Sequence, residues 1–219
     1  MDSKTFSPTP NAVRVGAAAI ALVALGLLLL LGHAVGRAPD PAWLMTAEAS
    51  WVDHSTLIAW WITWCGYAYV IVPVCLVLIA VAIVHRPWRD RTAYALLAVL
   101  LAWRGADFFQ KFFMRPRRLD WVVKHELSYS FPSSHAAIAT GFYLLLAIFV
   151  WKSSRRFGRP AASALGLLAV AILWSRLALG AHYLTDLAGG VLWGIVVVAA
   201  LACLWPRNVF EGPPLPSLE

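Results

Sequence analysis

The stretch YLTDLAGGVLWGIVVVAALACL at residues 183–204 contains one charged side chain, that of Asp186. An α-helix needs about 17 to 25 mostly apolar residues to cross a bilayer. Similar apolar runs lie at about 15–33, 57–84, 93–109, 136–151 and 161–179. We therefore predict an all-α, polytopic membrane protein with six transmembrane helices in one bundle.

The composition of the whole chain supports this prediction. Of its 219 residues, 61% are hydrophobic and 13% are charged, and the mean hydropathy is +0.71. A typical soluble domain is about half apolar and a quarter charged, so the composition excludes an ordinary soluble protein. Because the segments between the apolar runs are short, residues 1–219 are expected to form a single membrane-embedded domain.

Lysine and arginine predict the orientation, since they are enriched in cytoplasmic loops. With a cytoplasmic N-terminus, ten lie on the inner side: Lys4, Arg14, Arg86, Arg89, Arg91, Lys152, Arg155, Arg156, Arg159 and Arg207. Seven lie on the outer side: Arg37, Lys111, Arg115, Arg117, Arg118, Lys124 and Arg176. Most of these seven surround a polar cluster, which gives them a second role. We expect a multi-pass protein of a bacterial-type inner membrane, with this cluster facing the periplasm or exterior.

The remaining bulk properties exclude several other classes. The net charge of +7 is interpreted as topology and anion binding, and no nucleic-acid partner is expected. The three cysteines lie in apolar runs, where they are typical of small buried residues. The first run is longer than the ~7 to 15 residues of a signal-peptide core, which favours a retained span, with a cleaved signal peptide as the alternative.

Two motifs place ionisable residues at predicted helix ends, where they are costly and indicate a functional site. The first is PSSH at residues 132–135. Ser133 or Ser134 is expected to cap the fourth span, with His135 in its first turn. The N-terminus of a helix is a favourable site for a phosphate group.

The second motif is SRLALGAHYLTD at residues 175–186. His182 and Asp186 are four residues apart and share a helix face, so the carboxylate can accept a hydrogen bond from the imidazole. This pairing makes the other ring nitrogen a better nucleophile. Arg176, six residues before His182 and across Gly180, can fold back as a guanidinium clamp for phosphate oxygens.

Two outer segments complete the polar face. Lys111 and the run RPRR at 115–118 follow the third span; alone, they are typical of a basic collar at the membrane interface. They open the longest polar segment between spans, residues 111–131. Residues 39–55 carry spaced tryptophans and acidic residues, and are either a helix lying flat on the outer interface or a plain loop.

In this order, the three motifs resemble those of the type 2 phosphatidic acid phosphatase superfamily of membrane lipid phosphatases. Its pattern is Lys-x6-Arg-Pro, then Pro-Ser-Gly-His, then Ser-Arg-x5-His-x3-Asp. The third motif matches fully, and the second has Ser134 in place of glycine. In the first motif, six residues separate Lys111 from Arg118 as the pattern requires, but Leu119 follows Arg118 where the pattern has proline. A shift of one residue makes Arg117 the substitute.

The resemblance implies a metal-independent hydrolysis with no cofactor. His182 would form a phosphohistidine, Asp186 would orient it, and His135 would protonate the leaving oxygen. The implied phosphate-binding residues are Lys111, Arg118 or its substitute Arg117, Arg176, Ser133 and Ser134. The sequence offers no cluster of acidic or histidine residues typical of a metal site.

The expected substrate is a lipid phosphate or pyrophosphate met among membrane lipids. Undecaprenyl pyrophosphate is favoured, and phosphatidylglycerophosphate, phosphatidic acid and lipid A phosphate are the alternatives. Two other functions would use the same residues: a lipid phosphotransferase, and a non-catalytic transporter of anionic lipids. His182 paired with Asp186 favours catalysis over transport, because mere binding needs positive charge but no oriented nucleophile.

Overall fold

The computed structural model describes residues 10–51, 56–118, 128–153 and 156–204. Its helices are α1 (Pro10–Val35), α2 (Ala42–Trp51), α3 (Thr56–Thr63), α4 (Ala68–Val84), α5 (Arg89–Phe113), α6 (Ser134–Ile138), α7 (Leu145–Ser153), α8 (Gly158–Ala178) and α9 (Leu184–Leu204). A π-helical segment, Ala139–Leu144, joins α6 and α7 into one continuous span. These residues include no β-strand.

The predicted all-α membrane fold is confirmed. Within the described residues, five helical spans are each long and apolar enough to cross a bilayer. The predicted span at 57–84 is present as a bent pair of helices, Leu57–Gly66 and Ala68–Val84, which meet at 47°. Counting this pair as one span gives the six that the sequence predicted.

The bend in the second span lies at a short 3-10 turn, Trp64–Gly66, and not at Pro73, which lies within α4. Tyr67 is extended at this point, with φ −96° and ψ 157°. The hydroxyl of Tyr143 donates a hydrogen bond of 2.6 Å to the carbonyl of Cys65. A break inside a membrane is tolerated when such a neighbour satisfies the freed backbone group.

Small residues allow the central helices to pack closely. Four alanines of α5 at helical spacing are fully buried: Ala95, Ala98, Ala102 and Ala106. Helix α5 contacts α6, its π-helical extension and α9, and α1 packs along α9. Small side chains are the usual means by which membrane helices approach one another, because lipid supplies no hydrophobic force between them.

Two turns bring the motifs to one end of the bundle. Met114 ends α5 in a left-handed conformation, and its N–H donates to the carbonyl of Gln110. Gly180, with φ +66°, reverses the chain after α8 and lets the N–H of Ala181 bond to the carbonyl of Arg176. A left-handed residue, usually glycine, is a common helix terminator. The C-termini of α5 and α8 therefore lie beside the N-termini of α6 and α9.

Candidate active site

His182 and Asp186 form a buried pair at the start of α9. The imidazole Nδ1 lies 3.4 Å from Oδ2 of Asp186, which also accepts the N–H of Tyr183 at 3.0 Å. On the other side of the ring, Nη1 of Arg117 lies 3.0 Å from Nε2. A guanidinium only donates hydrogen bonds, so Nε2 accepts and Nδ1 carries the hydrogen. Nε2 therefore presents a lone pair, as a nucleophile must.

The two neighbouring arginines point to different partners. Arg117 also donates to the carbonyl oxygens of Ala181 and Ser128 and to the Ser128 hydroxyl, at 2.7 to 3.1 Å. Arg118 instead lies 2.6 Å from the carboxylate of Glu48 and over the ring of Tyr183. The substitute suggested by the sequence, Arg117, is thus the arginine that the structure brings to His182.

Lys111 differs in position from the expectation in the same way. It is exposed, whereas Gln110 is buried and donates from Nε2 to the carbonyl of Pro132 at 2.9 Å. The spacing from Gln110 to Arg117 equals that from Lys111 to Arg118. Successive residues of a helix point about 100° apart, so only one of the two can face α6. The structure therefore places Gln110 and Arg117, and not Lys111 and Arg118, beside the other two motifs.

The PSSH motif begins α6 as the sequence predicts. Ser133 is the N-cap, since its Oγ accepts the N–H of Ala136 at 3.4 Å. Its own N–H donates to the backbone carbonyl of Asp186 at 3.0 Å, which joins the second and third motifs directly. A Cβ atom at Gly190 would lie 2.3 Å from the carbonyl oxygen of Ser133, so this approach requires glycine. His135 is buried in the first turn.

The bend of the second span contacts both His135 and Arg176, which the sequence analysis did not foresee. The ring of Tyr67 lies edge-on to His135, with centroids 4.6 Å apart. Arg176 is fully buried and donates to the Thr63 hydroxyl at 2.9 Å and to the Tyr67 hydroxyl at 3.5 Å. A Cβ atom at Gly66 would lie 2.1 Å from His135 Cδ2. In the sequence, the feature that indicates this close contact is Gly66, a single glycine among aromatic residues.

A cavity of about 690 Å³ opens beside these groups. Its polar end includes Gln110, Arg117, Ser128, Ser134 and His135. Its apolar walls are formed by α4 and α5, with Ile71, Val72, Cys75, Val99, Leu100 and Trp103. The arrangement is suited to a ligand with a polar head and an apolar tail.

The segment before α3 also reaches the site, through two buried carboxylates. Asp40 bonds Arg115, and Glu48 accepts the N–H of Leu184 at 2.8 Å as well as the bond from Arg118. Within residues 39–55 the structure forms the helix α2, while residues 52–55 lie outside the described residues. Residues 119–127 of the polar segment 111–131 also lie outside them. In the sequence, this contact is indicated by the acidic residues Asp40 and Glu48, which lie in an apolar segment and have charge opposite to the arginine-rich run at 115–118.

Burial affects the electrostatics of Glu48. Its loss of hydration raises the pKa of the Glu48 carboxyl, against the opposing effects of the Leu184 N–H and Arg118. Among the residues that the structure describes, no three histidine, cysteine or acidic side chains are arranged to hold a metal ion. The positive charge near His182 comes from arginines.

Similar proteins were found by sequence and by structure. A segment of 83 residues, 38% of this chain, is 35% identical to "Putative undecaprenyl-diphosphatase YbjG" of Escherichia coli (strain K12), and this match spans only 38% of that relative. The fold resembles a transmembrane PAP2 type phosphatidylglycerolphosphate phosphatase from Bacillus subtilis, with TM-score 0.68 and 21% identity over 83% of this chain and 93% of that one.

A second solved structure, LpxE of Aquifex aeolicus, covers 83% of this chain and 94% of its own at 21% identity, with TM-score 0.49. The family pattern of the PAP2 superfamily matches residues 13–210, nearly the whole chain. The arrangement of the three motifs at one end of the bundle agrees with this match. The chain belongs to the PAP2 superfamily.

Proposed function

We propose that this protein is a metal-independent lipid phosphatase that acts through a phosphohistidine at His182. The observation that carries the proposal is the environment of the His182 ring. Asp186 lies on the Nδ1 side, and Nε2 accepts a hydrogen bond from Arg117 beside the cavity. A transporter of anionic lipids would need the arginines but not an imidazole held in this tautomer.

In the first step, Nε2 of His182 attacks phosphorus. An N–P bond forms, the P–O bond to the leaving group breaks, and His135 gives its proton to the leaving oxygen. In the second step, water attacks phosphorus and the N–P bond breaks. His135 takes the proton of this water, which returns both histidines to their starting states.

The transition state carries negative charge on the equatorial phosphate oxygens. We assign their stabilisation to Arg117 and Arg176, with Ser133 and the amide of Ser134 at the positive N-terminus of α6. Arg117 takes the role for which the sequence analysis first named Arg118. Lys111 and Arg118 are assigned to the periphery, because Lys111 is exposed and Arg118 is bound to Glu48.

Undecaprenyl pyrophosphate is the proposed substrate. The name of the Escherichia coli relative and the apolar walls of the cavity support it. The name of the Bacillus subtilis structure makes phosphatidylglycerophosphate the first alternative, followed by phosphatidic acid and lipid A phosphate. The excess of lysine and arginine on the opposite side of the bundle supports a site on the outer face of the inner membrane.

Phosphate release from these four lipids, measured in excess EDTA with the purified full chain, tests the proposal. We expect release from at least one of them, and a loss of about 10⁴-fold or more in His182→Ala. A folded His182→Ala protein with full activity, or a requirement for added metal, would contradict the mechanism. Release of free phosphate without transfer to an added acceptor lipid would separate hydrolysis from phosphotransfer.

A further inference from the structure

Arg115 lies on the side of Asp186 that faces away from His182, and it is fully buried. Its Nη1 donates to Oδ1 of Asp186 and to the Thr185 hydroxyl, both at 2.7 Å. Nη2 donates to Oδ1 of Asp40 and to the carbonyl of Ala38, both at 2.8 Å, and Nε donates to the same carbonyl at 3.0 Å.

These contacts occupy all of the hydrogen-bonding capacity of the side chain. A guanidinium has five N–H donors, and the five bonds use every one of them. Arg115 therefore has no donor left for a substrate phosphate, although it lies two residues from Arg117. Its partners are two carboxylates, a hydroxyl and a carbonyl that hold it in one orientation.

Asp40 fixes the far end of this arrangement. Its Oδ1 accepts the Thr185 hydroxyl at 2.5 Å in addition to the bond from Arg115, and its Oδ2 accepts the N–H of Thr185 at 3.2 Å. Asp40 is 4% exposed. Asp40 thus binds the first turn of α9, which carries Asp186, in two ways. It accepts the bonds from Thr185 directly, and it is linked to Asp186 through Arg115.

The charge balance gives Asp40 a role beyond packing. Arg115 lies between two carboxylates, so its single positive charge is shared between Asp40 and Asp186. Without the charge of Asp40, Arg115 would neutralise Asp186 more completely. Asp186 would then be a weaker acceptor for the Nδ1–H of His182 and a weaker support for the positive charge that the ring acquires on attack.

We infer that Asp40 is a positioning residue for the reaction, acting through Arg115 and Asp186 on His182. The inference deepens the proposed phosphatase function and rests on it. Asp40 does not touch the substrate, so its influence falls on the chemical step and not on substrate binding. The outer segment before α3 therefore completes the catalytic site and does more than cover it.

Kinetics of Asp40→Asn test the inference. Relative to the wild type, we expect kcat to fall by about tenfold or more, as for a small misplacement of a reacting group, with KM within about twofold. In an Asp186→Asn background, Asp40→Asn should cost less than about twofold further, because the two residues act as one unit. An additive loss, or a kcat within about threefold of the wild type, would overturn the inference.

Glu48→Gln is the matched control. Glu48 is also a buried carboxylate of the outer segment and also binds the first turn of α9, but its ionic partner is Arg118 and not Arg115. We expect its kcat to stay within about threefold of the wild type. Equal losses of kcat in Glu48→Gln and Asp40→Asn would assign both residues to simple docking of the segment and would overturn the inference.

Two further measurements keep the test decisive. If Asp40→Asn does not fold, Thr185→Val removes the hydroxyl between Asp40 and Arg115. In that variant kcat should fall by about threefold or more, and an unchanged kcat would overturn the inference.

The ¹⁵N-histidine spectrum of the detergent-solubilised chain provides a test that needs no turnover. The His182 signals, assigned with His182→Ala, should shift in Asp40→Asn and stay in place in Glu48→Gln; unshifted signals would overturn the coupling. If the wild type hydrolyses none of the lipids, the proposed function fails while this spectrum still decides whether Asp40 is coupled to His182.

Discussion

The charged groups on the two sides of the His182 ring differ in their surroundings. On the Asp186 side, Arg115 and Asp40 are buried and bound to each other, and all five guanidinium donors have protein partners. On the other side, Arg117 and His135 line a cavity of about 690 Å³. We call these the closed side and the cavity side.

This contrast indicates which arginine is available to bind a phosphate group. A buried cation needs compensating charge and hydrogen bonds, and a group held in this way is expensive to move. Arg117 lies against the cavity and is only partly buried, so its bonds to the Ser128 and Ala181 oxygens can be exchanged for bonds to phosphate. We therefore propose opposite roles for two arginines of one short segment: Arg115 holds the carboxylate of Asp186, and Arg117 binds substrate.

The largest expected effect contrasts Arg117 with its neighbour Arg118. Arg117→Ala should lower kcat for phosphate release by about 10²- to 10³-fold, because a donor aimed at the transition state is lost. Arg118→Ala should lower it by less than about tenfold, because Arg118 binds Glu48 and does not contact His182. A greater loss in Arg118→Ala than in Arg117→Ala would reverse the assignment.

A smaller effect is expected from Gly66→Ala, which disturbs the cavity side without removing a polar group. The added Cβ atom would lie 2.1 Å from His135 Cδ2, so the ring must move. We expect kcat to fall by about tenfold or more, since general acid catalysis depends on the position of the proton. Gly166→Ala on α8 is the control, because its Cβ atom would meet nothing within 4 Å. Equal activity of the two variants would argue against a role for the bend.

The smallest effect concerns pH and Glu48, beside the closed side. Burial raises the pKa of Glu48 in the folded protein, so its contribution to the free energy of unfolding is full below its ordinary pKa and is lost as pH rises through the raised pKa. The unfolding free energy of the wild type minus that of Glu48→Gln should therefore fall as pH rises above the ordinary pKa of a glutamate. Chemical denaturation in detergent measures it. A difference that grows with pH would mean that the pair with Arg118 outweighs burial.

Much of the site around His182 could be predicted from the sequence, because its parts follow local rules. Apolar runs predicted the spans, the serine of PSSH predicted the cap of α6, and the four-residue spacing predicted that His182 faces Asp186. It was harder to predict which side chains near the end of α5 face the site. A shift of the motif by one residue replaces Lys111 with Gln110 and Arg118 with Arg117. No local rule decides which of two adjacent side chains faces a neighbouring helix.

The rest of the closed side, beyond Asp186, could not be predicted in this way. Asp40 and Arg115 are 75 residues apart in sequence, and their contact depends on how the segment before α3 folds over the start of α9. The approach of Gly66 to His135 is likewise a tertiary contact, made where the second span bends. Both contacts depend on bends and loops, for which the apolar pattern carries no information.

Identification of the phosphorylated residue directly tests whether the reaction passes through a phosphohistidine at His182. The wild type is mixed with lipid pyrophosphate labelled with ³²P in its terminal phosphate, quenched in base at early times and mapped by mass spectrometry. We expect an acid-labile label on His182 that is lost as free phosphate appears. Steady hydrolysis without label on His182, or label on another residue, would contradict it.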